Sequence, residues 1–174
     1  MIYFIRHGET DYNKQHRYQG QLDIPLNEIG MSQARNARDE ELGVKFDVIY
    51  SSPLSRAKKT AEIINEKHDA ELVLDKRLME IYGGTSQGQC LGDWSADEIK
   101  DLHENPKKFG AESSAELCAR VEQFFKEIES SDKNILIVAH GGVYRALYRY
   151  LNHIEGYHFE MEKTQNATFK KLKD

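Results

Sequence analysis

Two short apolar runs in this chain of 174 residues each end in His-Gly. Met1 to Ile5 runs into Arg6-His7-Gly8-Glu9-Thr10, and Ile135-Leu136-Ile137-Val138-Ala139 runs into His140-Gly141-Gly142. A neutral imidazole can attack an electrophile through one ring nitrogen if the other is held as a donor, usually to a backbone carbonyl. Arg6 stands beside the first imidazole, and Arg56 follows Ser51-Ser52-Pro53. Guanidinium forks match phosphate oxygens two at a time, which lysine cannot do. These residue types together point to phosphoryl chemistry.

Phosphomonoester hydrolysis is demanding. Its enzymatic acceleration reaches about 10²¹, or about 29 kcal/mol of barrier. One charge-assisted hydrogen bond contributes only about 1.5–3 kcal/mol. A site therefore needs several cations, a positioned nucleophile and an acid for the leaving group. His7 is the candidate nucleophile, expected to lie exposed at a strand end. Arg6 and Arg56 are the candidate clamps. His140, with Gly141-Gly142, offers a second imidazole and backbone N–H groups at a helix N-terminus, a place that favours anions. Glu80 precedes a glycine-rich segment and could protonate a leaving oxygen if burial raised its pKa.

Each residue also has a plainer meaning. A lone His-Gly after a strand is often only a turn, Ser-Ser-Pro is an ordinary helix start, and an isolated glutamate is usually solvated. His16, His68, His103, His153 and His158 read as surface residues. A metal site built from His7 and His140 would lack His-Glu-x-x-His or similar spacing, so no metal is expected. Gly83-Gly84-Thr85-Ser86 is not a phosphate-binding P-loop, because no Gly-Lys-Ser/Thr follows.

The elements that must position these residues are legible as alternating strands and helices. The two apolar runs are short and rich in β-branched side chains, so both read as buried strands. Ligands in open α/β sheets sit beyond the carboxyl ends of strands. Between the runs, residues 8 to 26 read as a polar loop and Asn27 to Leu42 as a helix. Val48-Ile49-Tyr50 reads as a strand, followed by a helix N-capped by Ser52 with Pro53 in its first turn. Ala57, Ala61 and Ile64 mark that helix's buried face. Leu72-Val73-Leu74 is a further short strand. Tyr82 to Glu112 is rich in glycine and polar residues, helical only over Trp94 to Leu102, and reads as a small cap over the site. Leu117, Val121, Phe124 and Ile128 recur at helical spacing. Val143, Leu147 and Leu151 do the same, with Tyr144, Tyr148 and Tyr150 expected to cover the core. Thr168 to Leu172 reads as an edge strand. This order predicts an α/β three-layer sandwich, with a mostly parallel sheet and helices on both faces, in one domain over residues 1–174.

A net charge of -5 argues against wholesale binding to nucleic acid or membranes, so any anion site must be a local pocket. The two cysteines, Cys90 and Cys118, show no Cys-x-x-Cys spacing and read as reduced thiols. No apolar stretch approaches the roughly 18 residues of a membrane span, and a strand beginning at Met1 leaves no room for a leader. A cytoplasmic location is expected, as a monomer or homodimer.

In this order the motifs resemble the histidine phosphatase superfamily, in its phosphoglycerate mutase-like branch. The resembling blocks are Arg6-His7-Gly8-Glu9-Thr10 with Asn13, then Arg17-x-Gln19-Gly20, then Asp23-x-Pro25-Leu26 with Gly30 and Gln33-Ala34. They continue through Ser51-Ser52-Pro53-Leu54-x-Arg56-Ala57 with Thr60-Ala61, then Leu78-x-Glu80 with Gly84 and Gln87-Gly88. Glu112-Ser113, Ala139-His140-Gly141-Gly142 and Asn166 complete the set, which covers nearly the whole chain. Gly83 and Ser86 depart from it, since the family often places an aromatic or other bulky residue there.

The resemblance implies a covalent phosphohistidine on His7. Arg6, Arg56 and His140 would bind the phosphoryl group, and Glu80 would serve as acid and then activate water. Asn13, Gln19, Gly20 and Gly141 would line the phosphate or substrate side, with no cofactor. The expected activity is a metal-independent phosphomonoesterase acting on a small phosphorylated metabolite. A short cap leaves a phosphoenzyme open to water, which favours hydrolysis over the alternative, a cofactor-dependent phosphoglycerate mutase. A non-catalytic regulatory protein that binds a phospholigand is the alternative from a different class.

Overall fold

The structure is a computed structural model, and it describes residues 1–155 and 164–174. His158 lies outside the described residues. Strand β1 (Ile2–Arg6) leads into a one-turn helix α1 (Asp11–Lys14) and then helix α2 (Glu28–Asp39). Strand β2 (Val48–Ser51), helix α3 (Ser55–Asn65) and strand β3 (Glu71–Leu74) follow. Short 3₁₀ turns and helix α4 (Ala96–Glu104) occupy the next stretch. The chain then forms helix α5 (Ser114–Ile128), strand β4 (Ile135–Ala139), helix α6 (Gly141–Leu151) and strand β5 (Phe169–Lys173).

The sheet order is β3-β2-β4-β1-β5. All pairings are parallel except that of β5, which runs antiparallel along β1. The central strand β4 is buried along its whole length. Alternation of its side chains divides the core in two. Ile135, Ile137 and Ala139 pack with α5 and α6, while Leu136 and Val138 pack with α2 and α3. Each Ile, Leu or Val side chain among them, taken fully from water, contributes about 1.5–3 kcal/mol. Tyr144 is buried, and Tyr148 and Tyr150 pack against the first cluster, as the sequence suggested.

The chain leaves β1 for the α2 and α3 face and leaves β4 for the α5 and α6 face. Adjacent parallel strands whose connections diverge to opposite faces open a crevice at their carboxyl ends. Here those ends carry His7 and His140.

Several boundaries differ from expectation: the loop of residues 8 to 26 holds the one-turn helix α1, and α4 runs Ala96–Glu104 rather than Trp94 to Leu102. Helix α2 stops at Asp39 rather than Leu42, because Glu40 is already extended and turns the chain so that Leu42, Val44 and Phe46 reach the second core cluster. Helix α3 starts at Ser55, with Leu54 as an N-cap lacking any side-chain cap bond. Ser52 and Pro53 therefore precede the helix. Ser52 instead extends the sheet, its N–H donating to Val138 O at 3.0 Å. The N–H of Ser55 is met from afar by Asp23 Oδ1 at 2.7 Å. Elsewhere side chains cap the helices: Asn27 starts α2, as expected, and capping boxes of Ser95 with Glu98 and Ser113 with Glu116 start α4 and α5.

Candidate active site

The β1 ladder runs one bond past the strand, with His7 N–H donating to Ala139 O at 3.0 Å. Asn166 Nδ2 donates to His7 O at 2.7 Å, and Gly8 N–H donates to Thr60 Oγ1 at 3.1 Å. The backbone around the ring is thus tied to three distant parts of the chain. His7 Nδ1 lies 2.7 Å from Gly8 O. A carbonyl only accepts, so Nδ1 carries the proton and Nε2 holds the lone pair. The expectation of an exposed ring does not hold: His7 is 2% accessible, because the loop after β1 folds back against α2 and α3. Burial, then the charges of Arg56 and Arg6, push its pKa well below the usual histidine value, with the Gly8 bond opposing.

His140 begins α6 and is fully buried. Its ring centre lies 5.1 Å from that of His7, tilted by 58°. Nε2 lies 2.8 Å from Ser52 Oγ. Burial first, then Arg56, His7 and Arg6, lower its pKa well below the ordinary value. Both imidazoles are therefore neutral at physiological pH.

Arg56 projects from the first turn of α3 and is fully buried. It donates through Nη1 to Leu22 O and through Nη2 to Gly20 O, each at 2.7 Å. This guanidinium therefore shapes the loop that carries Gln19 and Gly20. Burial lowers its pKa to about 10 against the pull of Glu80 and Asp23, so it stays cationic at neutral pH. Arg6 Nη1 donates to Thr164 O at 3.2 Å. Five buried side-chain polar atoms have no hydrogen-bond partner among the described residues, and three of them are Arg6 Nε, Arg56 Nε and His140 Nδ1. Such atoms are costly in a folded protein unless something polar meets them.

Glu80 reaches the same place from the segment after β3. Its Oε1 accepts the Ile81 N–H at 2.9 Å, and both oxygens accept the Gly142 N–H at 3.1 Å. A carboxylate at the start of a helix is well placed electrostatically. Position 142 must be glycine for this contact, since a Cβ there would lie 2.1 Å from Glu80 Oε1. Behind Glu80, Arg120 of α5 donates to the carbonyls of Arg77, Met79 and Glu80 while pairing with Glu112 at 2.6 Å. One guanidinium thereby fixes the backbone on which the acid is mounted.

A cavity of about 220 Å³ is lined by Arg6, His7, Asn13, Gln19, Gly20, Arg56, Glu80 and Gly141, together with Arg17, Tyr18 and Arg145. It shares Arg6, Asn13, Arg17 and Tyr18 with a neighbouring groove of about 520 Å³. The fold thus brings eight of the nine sequence-predicted site residues onto one cavity, with His140 packed beside His7. Among the described residues, none of 82–112 lines the smaller cavity. That segment backs its wall, with the Gly88 N–H donating to Tyr18 O at 2.7 Å and the Tyr18 N–H donating to Gln89 O at 2.9 Å. Gly83 is open to a physical account: a Cβ there would lie 2.4 Å from Tyr18 Cε1. The aromatic ring at this spot comes from Tyr18 rather than from position 83.

Sequence reasoning missed Arg145, Arg120 and the second role of Ser52. Arg145 follows Gly141 by four residues, one helical turn, which is a usable signal. The three carbonyls that Arg120 meets and the ring that Ser52 meets lie 40 or more residues away, and nothing local points to them. Among the described residues no group of three or more His, Cys, Asp or Glu side chains could hold a metal ion. No helix among them is long and apolar enough to cross a membrane.

The sequence profile described as "Histidine phosphatase superfamily (branch 1)" matches residues 2–173. The chain is 35% identical over 166 residues to a Bacillus subtilis protein named "Uncharacterized phosphatase PhoE", spanning 94% of this chain and 82% of that one. It superimposes with a TM-score of 0.82 and 29% identity on a mycobacterial glucosyl-3-phosphoglycerate phosphatase solved in complex with VO3, covering 97% of this chain and 90% of that one. A phosphoglycerate mutase from Thermus thermophilus superimposes with a TM-score of 0.74 and 27% identity, covering 97% and 90%.

Proposed function

The chain belongs to branch 1 of the histidine phosphatase superfamily, and from that premise we propose that it hydrolyses a small phosphorylated metabolite through a covalent phosphohistidine on His7, without a metal. The observation that carries this is the paired state of two sets of atoms. His7 holds a lone pair at Nε2, and three nearby buried nitrogens, Arg6 Nε, Arg56 Nε and His140 Nδ1, have no partner among the described residues.

In this mechanism the phosphoryl oxygens take those donors, with Asn13, Gln19, Gly20 and Gly141 along the wall. His7 Nε2 attacks phosphorus, and the N–P bond forms as the P–O bond to the leaving group breaks. Gly8 O, accepting from Nδ1, steadies the positive charge that the ring acquires. Glu80 passes a proton to the departing oxygen. Water then attacks phosphorus, Glu80 takes its proton, and the P–N bond breaks to release inorganic phosphate. Preorganised cationic donors in a buried site do most of the stabilising in such a transfer. The relative solved with VO3 supports an oxyanion as the ligand.

The test is a panel of phosphomonoesters with p-nitrophenyl phosphate as reference, assayed in EDTA at pH 5–7. Phosphate release together with an acid-labile phosphohistidine in the ³¹P spectrum is expected. A folded protein that releases phosphate from no member of the panel would refute hydrolysis. The likeness to a mutase keeps one further outcome in view. Interconversion of 3- and 2-phosphoglycerate faster than phosphate release would make the protein a mutase.

A further inference from the structure

The fold treats the two ring nitrogens of His140 unequally, and the residue responsible is Ser52. Nε2 lies 2.8 Å from Ser52 Oγ, whereas Nδ1 is buried with no partner among the described residues. Ser52 Oγ already accepts the Leu54 N–H at 3.3 Å. Its single proton needs an acceptor, and the side chain is fully buried. Ser52's own carbonyl is engaged by the Ser51 hydroxyl at 2.9 Å. Nε2 of His140 is the acceptor at hand. A neutral imidazole has one N–H, so a ring that accepts at Nε2 carries its proton at Nδ1.

We propose that Ser52 is a positioning residue that fixes His140 as the Nδ1–H tautomer, so that the second imidazole meets the transferring phosphoryl group as a hydrogen-bond donor. The phosphoryl clause rests on the proposed hydrolase reading, while the tautomer assignment stands on the hydrogen bonds of a buried, neutral ring. The opposite tautomer would turn a lone pair toward phosphoryl oxygens, which repels them. Burial and the neighbouring Arg56 and Arg6 keep the ring neutral, so the choice between tautomers is a real one. The start of α3 carries the same message. Ser52 stands where a helix N-cap is expected, yet α3 begins without a side-chain cap. Its hydroxyl faces His140 instead. The Ser52 N–H bond to Val138 O, at 3.0 Å, holds that hydroxyl in register with β4.

The experiment is a long-range ¹H–¹⁵N correlation spectrum of the full chain at pH 7, with His140 assigned by comparison with His140→Gln. The wild-type ring should show the Nδ1–H pattern, and Ser52→Ala should show mixed tautomers. Ser52→Ala should also lower kcat on p-nitrophenyl phosphate by about ten- to a hundredfold with KM within about threefold, the loss expected when a preorganised donor is disordered. Ser52→Thr, which keeps the hydroxyl, should recover kcat to within about threefold of wild type. A wild-type ring in the Nε2–H form overturns the proposal. So does a slow Ser52→Ala whose His140 stays Nδ1–H, since the serine would then only be supporting the fold. The wild-type spectrum needs neither substrate nor variant stability. A protein inactive on every phosphoester would sink the hydrolase reading and leave the Ser52 assignment to be decided by the spectrum.

Discussion

At the end of β1, His7 gives its Nδ1 proton to the carbonyl of Gly8, one residue away, and keeps a bare nitrogen. At the end of β4, His140 leans through Nε2 on the hydroxyl of Ser52, 88 residues away, and its Nδ1 has no partner among the described residues. The dipeptide is the same, the burial is nearly the same, and both rings are held neutral by burial and by the same two arginines. What differs is the chemistry of the partner. A carbonyl can only accept, whereas a hydroxyl can also donate. Two identical side chains can thus be assigned opposite tasks, nucleophile and donor, without any change in their charge.

That contrast can be broken most sharply at His7. His7→Ala should lower phosphate release by at least about 10⁴-fold and abolish the phosphohistidine label, the scale seen when a covalent nucleophile is removed. Because the ring is buried, a melting curve must accompany the assay. His140→Asn should cost less, about 10²–10³-fold in kcat, with the label still forming slowly on His7. Equal losses, or loss of the label in both, would erase the distinction between the two strand ends.

Arg120→Ala probes the acid's mounting. Leaving Glu112 and three carbonyls without their guanidinium should lower stability by about 3 kcal/mol, read as a fall in the denaturant midpoint. Gly142→Ala probes the contact between Glu80 and α6. The added methyl must displace Oε1, so alkyl phosphates should slow by about tenfold or more while p-nitrophenyl phosphate, with its good leaving group, changes less. An equal effect on both substrates would remove Glu80 as proton donor.

A further effect is on stability against pH. Folded His7 and His140 refuse protons that the unfolded chain takes up below its ordinary pKa of about 6.5. Their contribution is complete above that pH and is lost as pH falls below it, by up to about 1.4 kcal/mol per pH unit for each ring. Stability that rises on acidification from pH 6.5 to 5 would contradict neutral, buried imidazoles.

Much of the fold follows from the chain itself. The order of strands and helices, the two-faced burial of Ile135 to Ala139 and the helical face of α5 are local patterns, since side-chain period is set by the backbone. Helix and strand ends are less legible. Ser52-Pro53 has the chemistry of a helix start, and it gave way because a tertiary partner claimed the hydroxyl. The end of α2 moved because Leu42 and Val44 pack better in the core than on a further turn.

The site divides along the same line. Arg6, His7, Arg56, Glu80 and His140 could be picked out of the sequence because the proposed phosphoryl transfer needs those functional groups, and the fold gathers them at the ends of β1 and β4 and around one cavity. His7's free nitrogen is nearly a local property, since its tether is the next residue. The tautomer of His140, the Arg56 clasp on Gly20 and Leu22, and the Arg120 grip behind Glu80 are not written in any local stretch. They depend on donors and acceptors that only close packing of distant segments brings within hydrogen-bonding reach, and the interaction is lost when that reach is exceeded.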